Sequence, residues 1–289
     1  MARTNRNRPQ CDEEAGGREH FEDAALYDFE YRRRRADVTF YRRLADERGG
    51  PILDLACGTG RLMLPLLRDG HTVVGLDRSP AMLSRAAARV TRLRGSRRAQ
   101  ALLMRGDLRA FAFRPRFAFA IAAFHSVQHL VSNADLLAFL RAARRSLVAG
   151  GWLAFDVLAP DPTWTARDPA RRWARTTFRH PTTRQRLVYT TNHSYDARRR
   201  ALHIRLYYAP IDPAGHAAGP ERVVRVCHRQ LAPDEVASLL ARAGLDLVAQ
   251  YGGFDGRPLD GECDEHIYVA RRSPSEDRRR SSGNPTKLA

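Results

Sequence analysis

Two acids and two glycines between residues 52 and 77 are the side chains whose types and spacing can do chemistry. A short apolar run, Ile52-Leu-Asp-Leu-Ala56, carries Asp54 and breaks into Cys57-Gly-Thr-Gly60. A helical segment follows, and a second apolar run, Thr72-Val-Val-Gly-Leu-Asp77, ends in another acid. Strand, glycine turn, helix, strand and terminal acid together make a unit that holds nucleoside-type ligands. Gly58 and Gly60 let the backbone turn sharply and lie against a ligand where a Cβ would intrude. A carboxylate at 77 can accept both hydroxyls of a ribose. The third small residue of a dinucleotide fingerprint is missing, because Met63 stands in its place, and Asp54 would set like charge beside a pyrophosphate. An acid at 54 suits an amino acid's ammonium instead, directly or through a water.

A ligand with an α-amino group and a ribose but no phosphate satisfies both acids, and S-adenosylmethionine is such a molecule. Asp54-x-Ala-Cys-Gly-Thr-Gly60, then Val74-Gly-Leu-Asp77 and Ser79-Pro-x-Met82-Leu, resembles the class I S-adenosylmethionine-dependent methyltransferases. The likeness continues in Gly106-Asp107, Phe124-His-Ser-Val-Gln-His129, Leu147-Val-Ala-Gly-Gly-Trp-Leu-Ala-Phe-Asp156, Pro233-Asp-Glu-Val and Ala243-Gly-Leu, so it spans roughly residues 27–270. Within the family the chain is most similar to small-molecule enzymes with an antiparallel lid, such as the sugar N-methyltransferases and the glycine/sarcosine type. The resemblance implies a Rossmann-like α/β fold, a doubly wound and mostly parallel seven-stranded sheet with its last two strands paired as an edge hairpin.

The elements that must position these residues follow from periodicity. Residues 21–48 read as one helix, 51–56 and 72–77 as strands, and Ser79-Pro80 as an N-cap followed by proline at the first helical position of a helix running to Leu93. Strands near 100–105 and 117–123, a helix at 133–147 stopped by Gly150-Gly151, and a strand at 152–158 complete a βαβ alternation. The pattern then changes to period two at 185–195, 201–209 and 221–230, an antiparallel β meander inserted after strand five. A helix at 233–243 and strands at 245–251 and 265–271 return to the core. The expected organisation is a disordered tail at 1–20, a methyltransferase domain from 21–159 and 232–272, a lid insertion at 160–231 and a second disordered tail at 273–289.

In open α/β sheets ligands sit beyond the carboxyl ends of the strands, so the strand ends nominate the cofactor site. Asp54, Ala56, Gly58 and Gly60 line the methionine part, Asp77 takes the ribose, Met82 packs on the adenine, and Asp107 accepts the adenine amino group beside the Leu108 backbone. Phe124 and His125 lie under the sulfonium. Family precedent adds Tyr27 and Tyr31, from an aromatic N-terminal helix that folds over the cofactor. Methyl transfer is an in-line displacement that needs alignment and water exclusion and no metal. A base is needed only when the acceptor arrives protonated. The candidates are His125, His129, His193 and His228, with His129 preferred for its place in the loop after strand four. Tyr189, Tyr208, His228 and Arg229 of the lid shape the acceptor pocket, which suits an amine or a sugar, while Arg205 and Arg229 would equally suit a carboxylate.

Composition sets outer bounds. The formal charge is +17, and Lys287 is the single lysine, so nearly every cation is arginine. Much of the excess is terminal or on helix faces, and no basic stripe interleaved with stacking aromatics is visible, which disfavours a nucleic-acid partner. No Asn/Asp-Pro-Pro-Tyr/Phe motif follows strand four. An RNA methyltransferase using the basic surface, and a non-catalytic cofactor-binding member of the fold, stay as alternatives; a nicotinamide oxidoreductase is disfavoured by Met63 and Asp54. Cys11, Cys57, Cys227 and Cys263 show neither metal spacing nor a disulfide framework, and Cys57 reads as a small packing residue. No secretory signal and no run of ~20 apolar residues is seen, so a cytoplasmic protein without a membrane partner is expected. The sequence leaves the oligomeric state open, a homodimer included.

Overall fold

The computed structural model describes residues 17–260 and 263–274. Most of both expected tails falls outside these residues; of the first, Glu19 and His20 enter a 3-10 helix at Glu19–Phe21. In chain order follow α1 (Ala24–Tyr31), α2 (Ala36–Arg48), β1 (Ile52–Leu55), α3 (Met63–Arg68), β2 (Val73–Asp77), α4 (Pro80–Val90), α5 (Ser96–Ala99), β3 (Ala101–Arg105) and β4 (Phe117–Ala122). A 3-10 turn at Ser126–His129 leads to α6 (Asn133–Ser146), β5 (Leu147–Leu158) and α7 (Pro162–Thr165). Next come β6 (Trp173–Arg179), β7 (Arg186–Asp196), β8 (Ala201–Ile211), β9 (Arg222–Arg229), α8 (Pro233–Ala243), β10 (Leu245–Tyr251) and β11 (Glu265–Arg272).

The chain divides into two compact units, one of Tyr31–Pro160 with the segment from Leu231 onward, the other of the residues up to Glu30 with Asp161–Gln230. The larger holds a seven-stranded sheet in the order β10-β11-β5-β4-β1-β2-β3. β1, β2, β3, β4 and β5 run parallel, and β11 is antiparallel to both of its neighbours. Strand order reverses at β1, which pairs with β2 on one side and β4 on the other. The carboxyl ends of β1 and β4 therefore flank the topological switch point, where a crevice opens in such sheets.

Both faces of the sheet are covered, so β1 is buried at every position. Leu53, Leu55 and Phe155 pack with Leu136, Phe139 and Leu140 of α6 and Leu239 and Leu240 of α8. Ile52, Phe119 and Ile121 point the other way, onto Phe40, Tyr41 and Leu44 of α2 and Leu66 and Leu67 of α3. This alternation is the two-residue period of a strand. Local signals fix the helix starts. Ser79 Oγ accepts the Met82 N–H at 3.3 Å ahead of α4, and Ser132 Oγ accepts the Asp135 N–H at 3.0 Å ahead of α6.

Close packing also explains Cys57 and Gly75. A Cβ at 75 would lie 2.8 Å from Cys57 Sγ and 3.0 Å from Leu103 Cδ2. Cys57 is buried, and burial pushes its thiol well above the ordinary range, so it serves as a wall and not as a nucleophile. Gly75→Ala is expected to cost about 1–3 kcal/mol by overpacking. Thermal melts should place it several degrees below wild type, with Cys57→Ala in the same chain recovering part of the loss.

The smaller unit is a four-stranded antiparallel sheet, β6-β7-β8-β9. Leu187, Leu206, Tyr208, Val224 and Val226 form its apolar face with Leu26 of α1, and the Phe29 ring stacks on Phe178 at 5.3 Å. Glu19 accepts the Arg225 N–H at 2.9 Å, which holds the 3-10 helix against β9.

Three expectations are corrected. Residues 21–48 are not one helix: the chain leaves helical geometry between α1 and α2, where Arg32, Arg33, Arg34 and Arg35 follow one another. Arg34 is drawn to Glu265 there, a tertiary contact that periodicity cannot register. Gly150-Gly151 does not stop the helix. α6 ends at Ser146, and the two glycines lie inside a longer β5, where the pairing with β4 shifts register and Gly150 takes φ 76°. The meander has a fourth strand, β6, whose mostly exposed residues Trp-Ala-Arg-Thr-Thr-Phe-Arg lack apolar alternation. No described helix is long and apolar enough to cross a membrane.

Candidate functional site

The turn after β1 bends through three left-handed residues, Ala56 (φ 58°), Gly58 (φ 54°) and Gly60 (φ 79°). At Gly58 a side chain would project into open space, with no heavy atom within 4 Å of its Cβ. The Gly58 N–H is held by Asp77 at the tip of β2, whose Oδ2 accepts it at 2.8 Å, while Oδ1 accepts the Ser79 N–H at 2.8 Å. Burial raises the Asp77 carboxyl above its usual range, and the two N–H bonds work against that shift. Asp77 thus shapes the turn and keeps lone pairs for further donors.

Asp54 lies on the other side. It is 2% exposed, and its Oδ2 has no hydrogen-bond partner among the described residues. Desolvation pushes its carboxyl up to about 7, opposed by Arg61 and reinforced by Asp77. A buried acceptor without a donor carries a penalty of about 1–3 kcal/mol, which a cationic ligand group would remove. Gly58, Asp54 and Asp77 therefore fit a ligand with an ammonium at one end and a diol at the other.

A second constellation gathers where β4 and β5 end. Phe124 and His125 both take left-handed backbone, φ 61° and 58°. Their successive N–H groups form a nest, and Asp156 fills it: Oδ1 accepts from Phe124 at 2.9 Å and Oδ2 from His125 at 2.9 Å. Tyr41 Oη donates to Asp156 Oδ1 at 2.6 Å. Asp156 is fully buried, and desolvation raises its carboxyl despite these donors and His125. His125 Nε2 bonds Glu265 Oε2 at 2.6 Å, and Arg34 pairs with the other oxygen of Glu265. The Glu265 carboxyl is held below its usual range: burial acts against this, and His125 and Arg34 outweigh it. The guanidinium groups of Arg34 and Arg61 stand 4.8 and 4.9 Å from the Phe124 ring, and Arg61 also donates to Asp37 at 2.9 Å. Ligand atoms of His125, Asp156 and Glu265 fall within 4.8 Å of one another, a spacing that a metal ion could use. Here Arg34 supplies the positive charge, and the carboxylate oxygens already hold protein donors.

The remaining nominated residues divide. Tyr31 sits edge-on to Phe124 with centroids 4.8 Å apart. His129 closes the 3-10 turn after β4, which Gln128 pins to the end of β5 by accepting the Leu158 N–H at 2.8 Å. Met82 is 1% exposed in the first turn of α4. Asp107 is engaged by Arg109, through its backbone N–H at 2.8 Å and its guanidinium at 2.8 and 3.0 Å, and this holds the carboxyl below its usual range. Leu108 packs on the core beneath α6 and α8.

Tyr27 belongs to the smaller unit, edge-on to His20 at 5.4 Å. Tyr189 and Tyr208 are paired across β7 and β8 with rings 5.5 Å apart, and His228, opposite Leu202, lies on the same face. Arg229 and Arg205 fall on the opposite face by the two-residue period. His193 is buried beside Trp164 at 4.6 Å, and desolvation with the nearby Arg167 lowers it to about 4, too weak a base at neutral pH. Reading the sequence missed Arg34, Arg61, Tyr41, Asp156 and Glu265. Asp156 left a signal, an acid in the run of β5 toward its carboxyl end; Glu265 lies 140 positions from His125 and left none.

Known proteins resemble this chain in sequence and in fold. Residues 52–151 match a family of methyltransferase domains. Over 252 residues the chain is 28% identical to dTDP-3-amino-3,6-dideoxy-alpha-D-glucopyranose N,N-dimethyltransferase of Streptomyces fradiae, covering 82% of this chain and 89% of that one. The fold matches the CcbJ methyltransferase from Streptomyces caelestis with a TM-score of 0.68 at 19% identity, over 88% of this chain and 99% of that one. It also matches SAM-bound CalS10, an amino pentose methyltransferase from Micromonospora echinaspora, with a TM-score of 0.61 at 22% identity, over 86% and 95% of the two chains. The methyltransferase domain matched over residues 52–151, the Rossmann-like sheet and these likenesses together mark an S-adenosylmethionine-dependent methyltransferase, similar to those of class I.

Proposed function

We propose that this methyltransferase acts on nitrogen of a small amine, of the amino-sugar class. One observation supports the reading above others: the likeness to an amino-sugar N,N-dimethyltransferase extends over 89% of that enzyme, far beyond the part that holds the cofactor. When bound, S-adenosylmethionine supplies a methyl group already made electrophilic by the sulfonium. In this reading the Asp77 carboxylate accepts the ribose hydroxyls and Asp54 receives the α-ammonium. The nest filled by Asp156 fixes the Phe124 ring, and the ring excludes water from the reacting centre. His129 takes the proton that an ammonium acceptor must lose before nitrogen can attack.

Methyl-labelled cofactor offered with amino sugars, simple alkylamines, hydroxyl-bearing sugars and RNA tests the proposal. Label is expected in the amines; label in RNA alone would overturn it in favour of the basic-surface alternative. His129→Ala is expected to lower kcat roughly a hundredfold with adenosylhomocysteine affinity unchanged. Wild-type turnover in that variant would remove His129 as the base.

A further inference from the structure

The sheet of the larger unit has two outer strands, β10 and β3, and they are finished differently. β10 is interrupted between Leu247 and Ala249 and carries Asp246, devices that blunt an open edge. β3 runs Ala-Leu-Leu-Met-Arg from Ala101 to Arg105 in unbroken register with β2. Val73 N–H donates to Gln100 O at 2.9 Å, and Gly106 N–H donates to Asp77 O at 3.0 Å. With that register, Gln100, Leu102, Met104 and Gly106 turn their backbone groups toward β2. Ala101, Leu103 and Arg105 therefore present N–H and C=O groups to the open edge. The side chains of Leu102 and Met104 stand beside Val74 and Leu76, on the face that α6 and α8 cover further along the sheet. The connection from β3 to β4 contains no helix, and these two side chains stay 49% and 38% exposed.

The surroundings carry one sign of charge. Residues 78–106 hold eight arginines and no aspartate, glutamate or lysine. Arg92 and Arg94 after α4, Arg97 and Arg98 on α5, and Arg105 on β3 are exposed. Asp69, an acid within electrostatic reach of Arg97, is already bound by Arg42 at 2.7 Å. By the two-residue period Arg105 shares the face of Leu103, and α5 packs toward α3 on that same side. The edge thus offers apolar surface on one face and positive charge on the other.

Three kinds of occupant match this edge poorly. Residues 78–106 contain no aromatic side chain, so no base-stacking platform accompanies the arginines. α4 has its apolar face in the core through Met82, Ala86 and Val90, which leaves none for a lipid surface. A second copy of β3 would bring arginines against arginines. We propose that the outer edge of β3 is a docking site for an acidic polypeptide partner, which adds to the sheet as a strand of alternating acidic and apolar residues. Its backbone pairs with Ala101, Leu103 and Arg105, its apolar side chains cover Leu102 and Met104, and its carboxylates meet Arg97, Arg98 and Arg105. Docking here is independent of which acceptor is methylated.

The test uses the full-length protein and a labelled octapeptide of alternating glutamate and valine, followed by fluorescence anisotropy. The control peptide has two central valines replaced by proline, which keeps the charge and removes strand pairing. The control should bind about tenfold more weakly, the worth of one or two net hydrogen bonds. Arg97→Glu with Arg98→Glu, and separately Leu102→Thr with Met104→Thr, should each weaken the alternating peptide at least tenfold. Wild-type adenosylhomocysteine affinity in these variants shows that the fold is intact. In hydrogen exchange the amides of Ala101, Leu103 and Arg105 should slow on binding, while those of Leu102 and Met104, already bonded to β2, change little. Equal binding of the two peptides to wild type, or no slowing at Ala101, Leu103 and Arg105, overturns strand addition. Tighter binding at these arginines by a single-stranded RNA or by phosphatidylserine vesicles overturns the acidic partner. So does a dimer in sedimentation that Met104→Arg abolishes, since it would give the edge to a second copy.

Discussion

Asp77→Ala should weaken adenosylhomocysteine binding by a hundredfold or more in calorimetry, the largest loss expected of any single change at the glycine turn. Two effects combine. The carboxylate accepts the Gly58 and Ser79 N–H groups at 2.8 Å each, so its removal frees a turn that already runs through left-handed backbone. It also removes the acceptor assigned to the ribose hydroxyls, where charge-assisted hydrogen bonds contribute about 1.5–3 kcal/mol each. Asp77→Asn separates the two, since one amide oxygen can still hold a turn N–H while the charge is gone. It should bind with intermediate affinity. Wild-type affinity in Asp77→Ala would end the ribose assignment and leave Asp77 a structural cap.

Asp156→Ala should damage fold and site together. Asp156 answers the Tyr41 hydroxyl and the Phe124 and His125 N–H groups, all inside the larger unit. Deleting it strands these donors and leaves two residues in left-handed backbone, a conformation that costs roughly 1–2 kcal/mol per residue. Breaking such a buried charged network costs about 3–5 kcal/mol. In a protein of this size that is on the order of 10 °C in melting temperature. Calorimetric scans check the stability, and binding of adenosylhomocysteine checks the site. Tyr41→Phe removes one donor and leaves the nest filled, so it should lose far less. A melting temperature within two or so degrees of wild type for Asp156→Ala would show that the nest is not what holds this turn.

Expectation and structure meet wherever the decisive interaction is local. The glycine turn, the Ser79-Pro80 cap and the α8 span 233–243 were legible because each is written in neighbouring residues. The period-two runs of β7, β8 and β9 were legible for the same reason. β6 was not, since an exposed edge strand has no apolar face to alternate. Gly150-Gly151 misled because glycine marks a bulge as readily as a helix stop, and only the pairing of β5 with β4 decides between them.

By itself the sequence determined the kind of cofactor: the glycine turn at 57–60 with acids at 54 and 77 pointed to S-adenosylmethionine. It also determined the alternation that folds into a doubly wound sheet. Tertiary structure alone decided that His125 meets Glu265 across 140 positions, that Asp156 fills the Phe124–His125 nest, and that Glu30 lies against Tyr208 across 178. The reason is physical. Propensity and periodicity act within a few residues, whereas a buried charge has to find its partner in space, and the partner's place in the chain follows from strand order.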